Sequence, residues 1–167
     1  MSTHINFIPI NIAVVTISDT RVLDNDKSGD VLEKRVLESN HKIISREIVK
    51  DDFDKISQLF QNLINNKKID VIISTGGTGL TGRDITPEVM KTLFDKTIDG
   101  FGEMFRWLSY SKIGTSALQS RALAGVSNGT YIFCLPGSPS ACRDGWDQIL
   151  IHQLDIRHKP CNFVEIM

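Results

Sequence analysis

The stretch Ser74–Glu88, S-T-G-G-T-G-L-T-G-R-D-I-T-P-E, gathers the residue types that handle phosphate. It holds four glycines (Gly76, Gly77, Gly79, Gly82) and three threonines (Thr75, Thr78, Thr81) ahead of Arg83 and Asp84. Glycines let backbone N–H groups approach a ligand closely, and successive N–H groups beside a helix N-terminus make an anion cradle. Arg83 adds a fixed cation able to clamp phosphate, and Asp84 a metal ligand or base. Two familiar templates fit only in part. Gly77-x-Gly79-x-x-Gly82 spells the dinucleotide fingerprint, but that motif opens a first βα unit and has an acid closing the next strand about 20 residues on. Here Glu103 falls in a helical pattern instead. Gly77 and Gly82 have the spacing of a nucleoside-triphosphate loop, yet Arg83-Asp84 occupy the positions of its lysine and hydroxyl residue. A glycine-rich turn serving only tight strand–helix packing is the plain alternative.

The loop needs elements to hold it. Asp70-Val71-Ile72-Ile73 before it is a short, apolar, β-branched run, which predicts a buried strand through Ser74. Thr86-Pro87-Glu88 after it reads as a helix start: hydroxyl cap, proline in the first turn, then an acid. Asn11–Ser18 is a second buried strand ending in the polar run Ser18-Asp19-Thr20-Arg21. Ser28 is a candidate cap for a helix through Ser39. Lys42–Val49 reads as another strand, followed by Asp51 and Asp52, either of which could cap the next helix. That helix is the clearest in the chain, with Ile56, Leu59, Phe60, Leu63 and Ile64 at helical spacing. Phe101, Met104, Phe105 and Leu108 form a further amphipathic stripe, for core or a subunit interface. The segment Ser116–Ala124 is open between helix and strand. Tyr131–Leu135 is a strand, and Ser138 before Pro139 opens a helix to about Ile151.

Strands alternating with helices predict an α/β protein, a three-layer α/β/α sandwich on a mostly parallel sheet. Residues 1–9 are expected to be an arm and 10–167 a single domain. Ligands in such sheets collect at the carboxyl ends of strands. Ser18-Asp19, Asp51-Asp52, the glycine loop and Gly137-Ser138 should therefore share one edge, with Asp51 and Asp84 as paired carboxylates for a metal or a proton.

Totals narrow the function. The 167 residues carry a net charge of −1 with 23% charged and 41% hydrophobic residues, which suits one globular domain and not an electrostatic nucleic-acid binder. No apolar run approaches the roughly 20 residues that cross a bilayer, and no secretory pattern opens the chain. Cys134, Cys142 and Cys161 are odd in number and far apart, and point to a reduced, cytoplasmic setting. The histidines His4, His41, His152 and His158 show no metal-ligand spacing.

Thr75–Gly79 followed by Gly82–Glu88 resembles the signature of the MoaB/Mog family of molybdenum-cofactor biosynthesis proteins. Val14–Asp19, Gly100–Glu103 with Arg106, Ser120-Arg121 and Leu135–Pro139 are similar to it as well. The tail Lys159–Phe163 resembles the MoaB branch. This resemblance implies an α/β/α fold, a homotrimer or hexamer, and work alongside other molybdenum cofactor biosynthesis proteins. It implies transfer of AMP from Mg-ATP to molybdopterin with release of pyrophosphate; the alternative is a catalytically silent molybdopterin-binding or scaffold protein. By the same resemblance Asp51 and Asp84 are associated with Mg²⁺ and catalysis. Thr75, Gly76, Gly77, Thr78, Gly79 and Arg83 would serve phosphate, and Ser120, Gly137 and Ser138 the pterin. Ser18, Asp19, Pro87 and Glu88 would complete the site.

Overall fold

A computed structural model describes residues 5–167; the first four residues of the expected arm lie outside it. Six strands form one sheet: β1 Asn11–Ile17, β2 Lys42–Val49, β3 Val71–Thr75, β4 Lys96–Thr97, β5 Leu123–Ser127 and β6 Thr130–Leu135. Their order is β2-β1-β3-β6-β5-β4, with β2, β1, β3 and β6 mutually parallel. The edge is completed by β5, antiparallel to β6, and β4, antiparallel to β5.

The central strands are apolar on both faces because helices cover both. One side chain in two points each way. Ile12, Val14, Val71, Ile73, Phe133 and Leu135 meet Leu32 and Val36 of α1 (Lys27–Glu38), Phe101 and Phe105 of α4 (Asp99–Ile113), and Cys142 and Trp146. Ala13, Val15, Ile17, Ile72, Ile132 and Cys134 meet Ile56, Phe60 and Leu63 of α2 (Phe53–Asn65) and Val89 and Met90 of α3 (Thr86–Leu93). This is the three-layer sandwich expected from the pattern. The last helix begins as α5 (Pro139–Gly145), widens into a π-turn at Trp146–Leu150 and ends as α6 (Ile151–Gln153).

Three local expectations change. Asp26, not Ser28, caps α1, accepting from the Gly29 N–H at 3.0 Å. Thr86 does not cap α3: it stands inside the first turn, and its hydroxyl donates to the Gly76 carbonyl at 3.0 Å. Ser116–Ala124 divides into a 3₁₀ turn at Gly114–Gln119 and the start of β5. Among the described residues all three cysteines are free, Cys134 and Cys142 buried and Cys161 exposed. No helix among them is long and apolar enough to cross a membrane.

Candidate active site at the strand ends

Parallel register brings four strand ends level. Ile17 pairs with Val49, Thr16 with Thr75, and Thr75 with Leu135. Ser18, Asp51, Gly76 and Gly137 consequently emerge along one edge of the sheet, as the alternation predicted.

The glycine loop is the ridge between two hollows on this edge. One is a cavity of about 700 Å³ lined by Gly77, Thr78, Gly79 and Asp84 on the loop side, Ser120, Gly137 and Ser138 opposite, and Phe105 and Lys112 from α4. The other, about 300 Å³, is bounded by Ser18, Arg21, Ser28, Asp51, Thr75 and Gly76. Gly76 and Gly77 belong to both backbone and site. Gly76 has φ +105°, and a Cβ there would lie 2.1 Å from the Ile17 carbonyl oxygen. Gly77 has φ +65°, and its Cβ would lie 2.2 Å from Thr86 Oγ1 and 2.7 Å from Asp51 Oδ1. Only glycine permits this approach of the loop to β1 and to a carboxylate. Gly82, by contrast, faces open space.

The paired aspartates differ sharply in surroundings. Asp52 caps α2 by accepting from the Lys55 N–H at 2.9 Å, whereas Asp51 lines the smaller hollow. Asp51 Oδ1 is buried without a hydrogen-bond partner among the described residues. Burial first, then the charges of Asp19 and Asp84, push its pKa up to about 6 against the weaker opposing pull of Arg83. Asp84 is held low: the Thr81 hydroxyl donates to Oδ2 at 2.6 Å and the Thr81 N–H at 2.9 Å, outweighing partial burial. The two carboxylates are thus pushed in opposite directions, Asp84 below and Asp51 above the ordinary range.

Other expected residues fall into place unevenly. Asp19 accepts from the Asp51 N–H at 3.3 Å and pairs with exposed Arg83 at 3.5 Å, so Arg83 reaches across toward β1 and lines neither hollow. Thr75 donates to the Pro136 carbonyl at 2.9 Å. Ser138 caps α5 through the Ala141 N–H at 3.1 Å while lining the larger cavity. Pro87 and Glu88 line neither of these two hollows: Pro87 is buried in α3 and Glu88 is paired with Arg121. The chemistry of a helix start explains both.

Several wall residues escaped sequence reasoning. Arg21 closes the smaller hollow, donating to Ser28 Oγ at 3.2 Å and the Gly137 carbonyl at 3.2 Å. Its position just past a strand end was the available signal. Lys112 of α4 and Asp144 of α5 pair across the larger cavity, and no local pattern links residues so far apart.

A mostly parallel α/β sheet with a glycine-rich loop and two acids at the carboxyl ends of its strands has the architecture in which α/β binding domains gather their ligands. Residues 13–156 match the family described as "probable molybdopterin binding domain". The chain belongs to this family, in its MoaB/Mog group. It is 46% identical over 157 residues to molybdenum cofactor biosynthesis protein B of Escherichia coli K12, covering 94% of this chain and 92% of that one. The Bacillus subtilis protein of the same name is 40% identical over 142 residues, 84% of each chain. A crystal structure of molybdenum cofactor biosynthesis protein B superposes with TM-score 0.86 at 42% identity, covering 88% of this chain and 92% of the other. The tungsten cofactor synthesizing protein MoaB from Pyrococcus furiosus gives 0.74 at 37% identity, covering 85% and 91%.

Proposed function

We propose that this chain acts in molybdenum cofactor biosynthesis by transferring AMP from Mg-ATP to molybdopterin. The observation that carries the reading is the buried, unpartnered Asp51 Oδ1 beside a glycine ridge, with Asp84 on the same ridge and a hollow on either side. A buried carboxylate oxygen without a donor is expensive unless a cation meets it.

Among the described residues no three acidic, histidine or cysteine side chains group into a full metal cage. Mg²⁺ is commonly held by one or two carboxylates plus substrate phosphates. Asp51 and Asp84 would hold it, and once bound it would neutralise phosphate charge. The loop N–H groups from Gly76 to Gly79 would receive phosphate oxygens, and Arg83 would add positive charge at the rim. Ser120, Gly137 and Ser138 would face the pterin in the larger cavity.

The nucleophile is an oxygen of the pterin's terminal phosphate. It attacks the α-phosphorus of ATP; the bond from that phosphorus to the bridging oxygen breaks, and pyrophosphate leaves with the electron pair. The attacking oxygen is already anionic, so the residues align and neutralise rather than remove a proton. A homotrimer or hexamer in the cytoplasm, working beside other proteins of the same route, completes the proposal.

The test is to incubate purified protein with molybdopterin, ATP and Mg²⁺ and to follow pyrophosphate and adenylylated pterin. Turnover is expected, and Asp84→Asn should reduce it at least about 100-fold with an unchanged circular dichroism spectrum. Pterin binding without any turnover would overturn the enzymatic reading in favour of a silent binding protein.

A further inference from the structure

Arg121 lies 42 residues beyond Gly79 in sequence, on the strand-like segment between the 3₁₀ turn and β5. Its side chain nevertheless spends its donors on the glycine loop. Nε donates to the Gly79 carbonyl at 2.7 Å, one terminal nitrogen to the Asp84 carbonyl at 2.5 Å, and the other pairs with Glu88. The Arg121 backbone N–H also reaches the Thr78 carbonyl at 3.3 Å. These acceptors lie before, after and beyond the exposed excursion formed by Leu80, Thr81, Gly82 and Arg83.

One planar guanidinium therefore staples both feet of the loop and the first turn of α3. Ammonium could not copy this, because its donors radiate from a single atom and cannot meet three acceptors in fixed directions. The segment carrying Arg121 is itself anchored: Arg106 of α4 donates to the Ala122 carbonyl at 3.2 Å and the Ser120 carbonyl at 3.5 Å. Arg106 and Arg121 thus form a relay from α4, through the wall that presents Ser120, to the ridge that presents Asp84. Glu88 pairs with Arg121, and the charge of Arg121 is the least of the causes that hold Asp84 low, so the contribution is mainly geometric.

We propose that Arg121 is a positioning residue: it holds the glycine loop in the shape that receives phosphate and aims Asp84, without touching substrate. This rests on the adenylyl-transfer reading for its catalytic consequence, but not for its structural one. The experiment compares wild type, Arg121→Ala and Arg121→Lys by amide hydrogen exchange, thermal melting and steady-state kinetics with Mg-ATP and molybdopterin. In Arg121→Ala, amides from Gly79 to Thr86 are expected to exchange at least about 10-fold faster, while those of β1 and β3 keep their protection. Its kcat should fall at least about 100-fold and KM for Mg-ATP should rise. Arg121→Lys should recover under about a tenth of wild-type kcat, since charge alone does not rebuild the fork. Unchanged exchange in the loop would overturn the proposal, and so would a loosened loop with kcat and KM within twofold of wild type. If wild type itself does not turn over, the adenylyl-transfer reading fails on its own. Magnesium pyrophosphate binding then decides the role of Arg121: about 10-fold weaker binding in Arg121→Ala supports it, and equal binding overturns it.

Discussion

Asp51 shows what a single residue gives up for a site. Its folded pKa of about 6 lies above the ordinary 3.8, so the neutral form is favoured by the fold. The associated stabilisation is complete below pH 3.8 and is lost as pH rises through about 6, which leaves the charged form a burden at neutrality. Asp51→Asn should therefore raise Tm at pH 7 by about 2–4 °C while removing metal-dependent activity. Because a cation needs the charged carboxylate, wild-type activity should climb with pH through about 6. A flat activity profile from pH 5 to 7 would contradict this role. Asp84 is shifted the opposite way, its carboxyl held low chiefly by the Thr81 hydroxyl.

Elements decide which glycines matter. Gly77 combines a positive φ with a Cβ position 2.2 Å from Thr86 Oγ1, inside the junction of β3 and α3. Gly77→Ala should cost about 2 kcal/mol or more in urea unfolding and abolish activity. Gly82→Ala, which meets nothing, should stay within about 0.5 kcal/mol. Another element junction responds to pH. His41, between α1 and β2, is buried and accepts the Ile10 N–H on Nδ1 at 3.1 Å, edge-on to Trp146. Burial lowers its pKa below 6.5 despite the nearby Asp155 charge. Its contribution is present above pH 6.5 and is lost as pH falls through the lowered folded value. Melting curves should show wild type losing stability below pH 6.5, with the slope reduced in His41→Asn, whose amide oxygen can still accept. The sequence placed His41 only among histidines without ligand spacing; its hydrogen bond depends on a strand entering 31 residues away.

At the scale of the molecule, the outer face of α4 and the following turn exposes Met104, Trp107, Tyr110, Ile113 and Leu118. Trp107 is 74% and Leu118 81% exposed, an apolar patch of the kind that associates. The helical stripe had offered core or interface, and α4 divides the two: Phe101 and Phe105 go inward, Met104 stays half-exposed. In the proposed homotrimer or hexamer this face is the expected interface. Light scattering should show Trp107→Glu combined with Leu118→Glu reduced to monomer, whereas an unchanged mass would assign assembly elsewhere.

Periodicity in single elements was enough to determine the layers and most of the sheet, because strands apolar on both faces have to be covered twice. Ser74–Glu88 likewise announced a glycine-rich turn between a strand and a helix, and the structure places it at the carboxyl edge of the sheet. The sequence could not choose between Asp51 and Asp52, since adjacent acids look alike until a helix takes one as its cap. Nor could it find the short β4 or the split of Ser116–Ala124, where pairing with a distant strand overrides weak local preference. Arg121, Arg21 and the Lys112–Asp144 pair were out of reach for the same reason. Their roles consist of bonds made across long separations in the chain, and only the folded sheet edge brings those groups together.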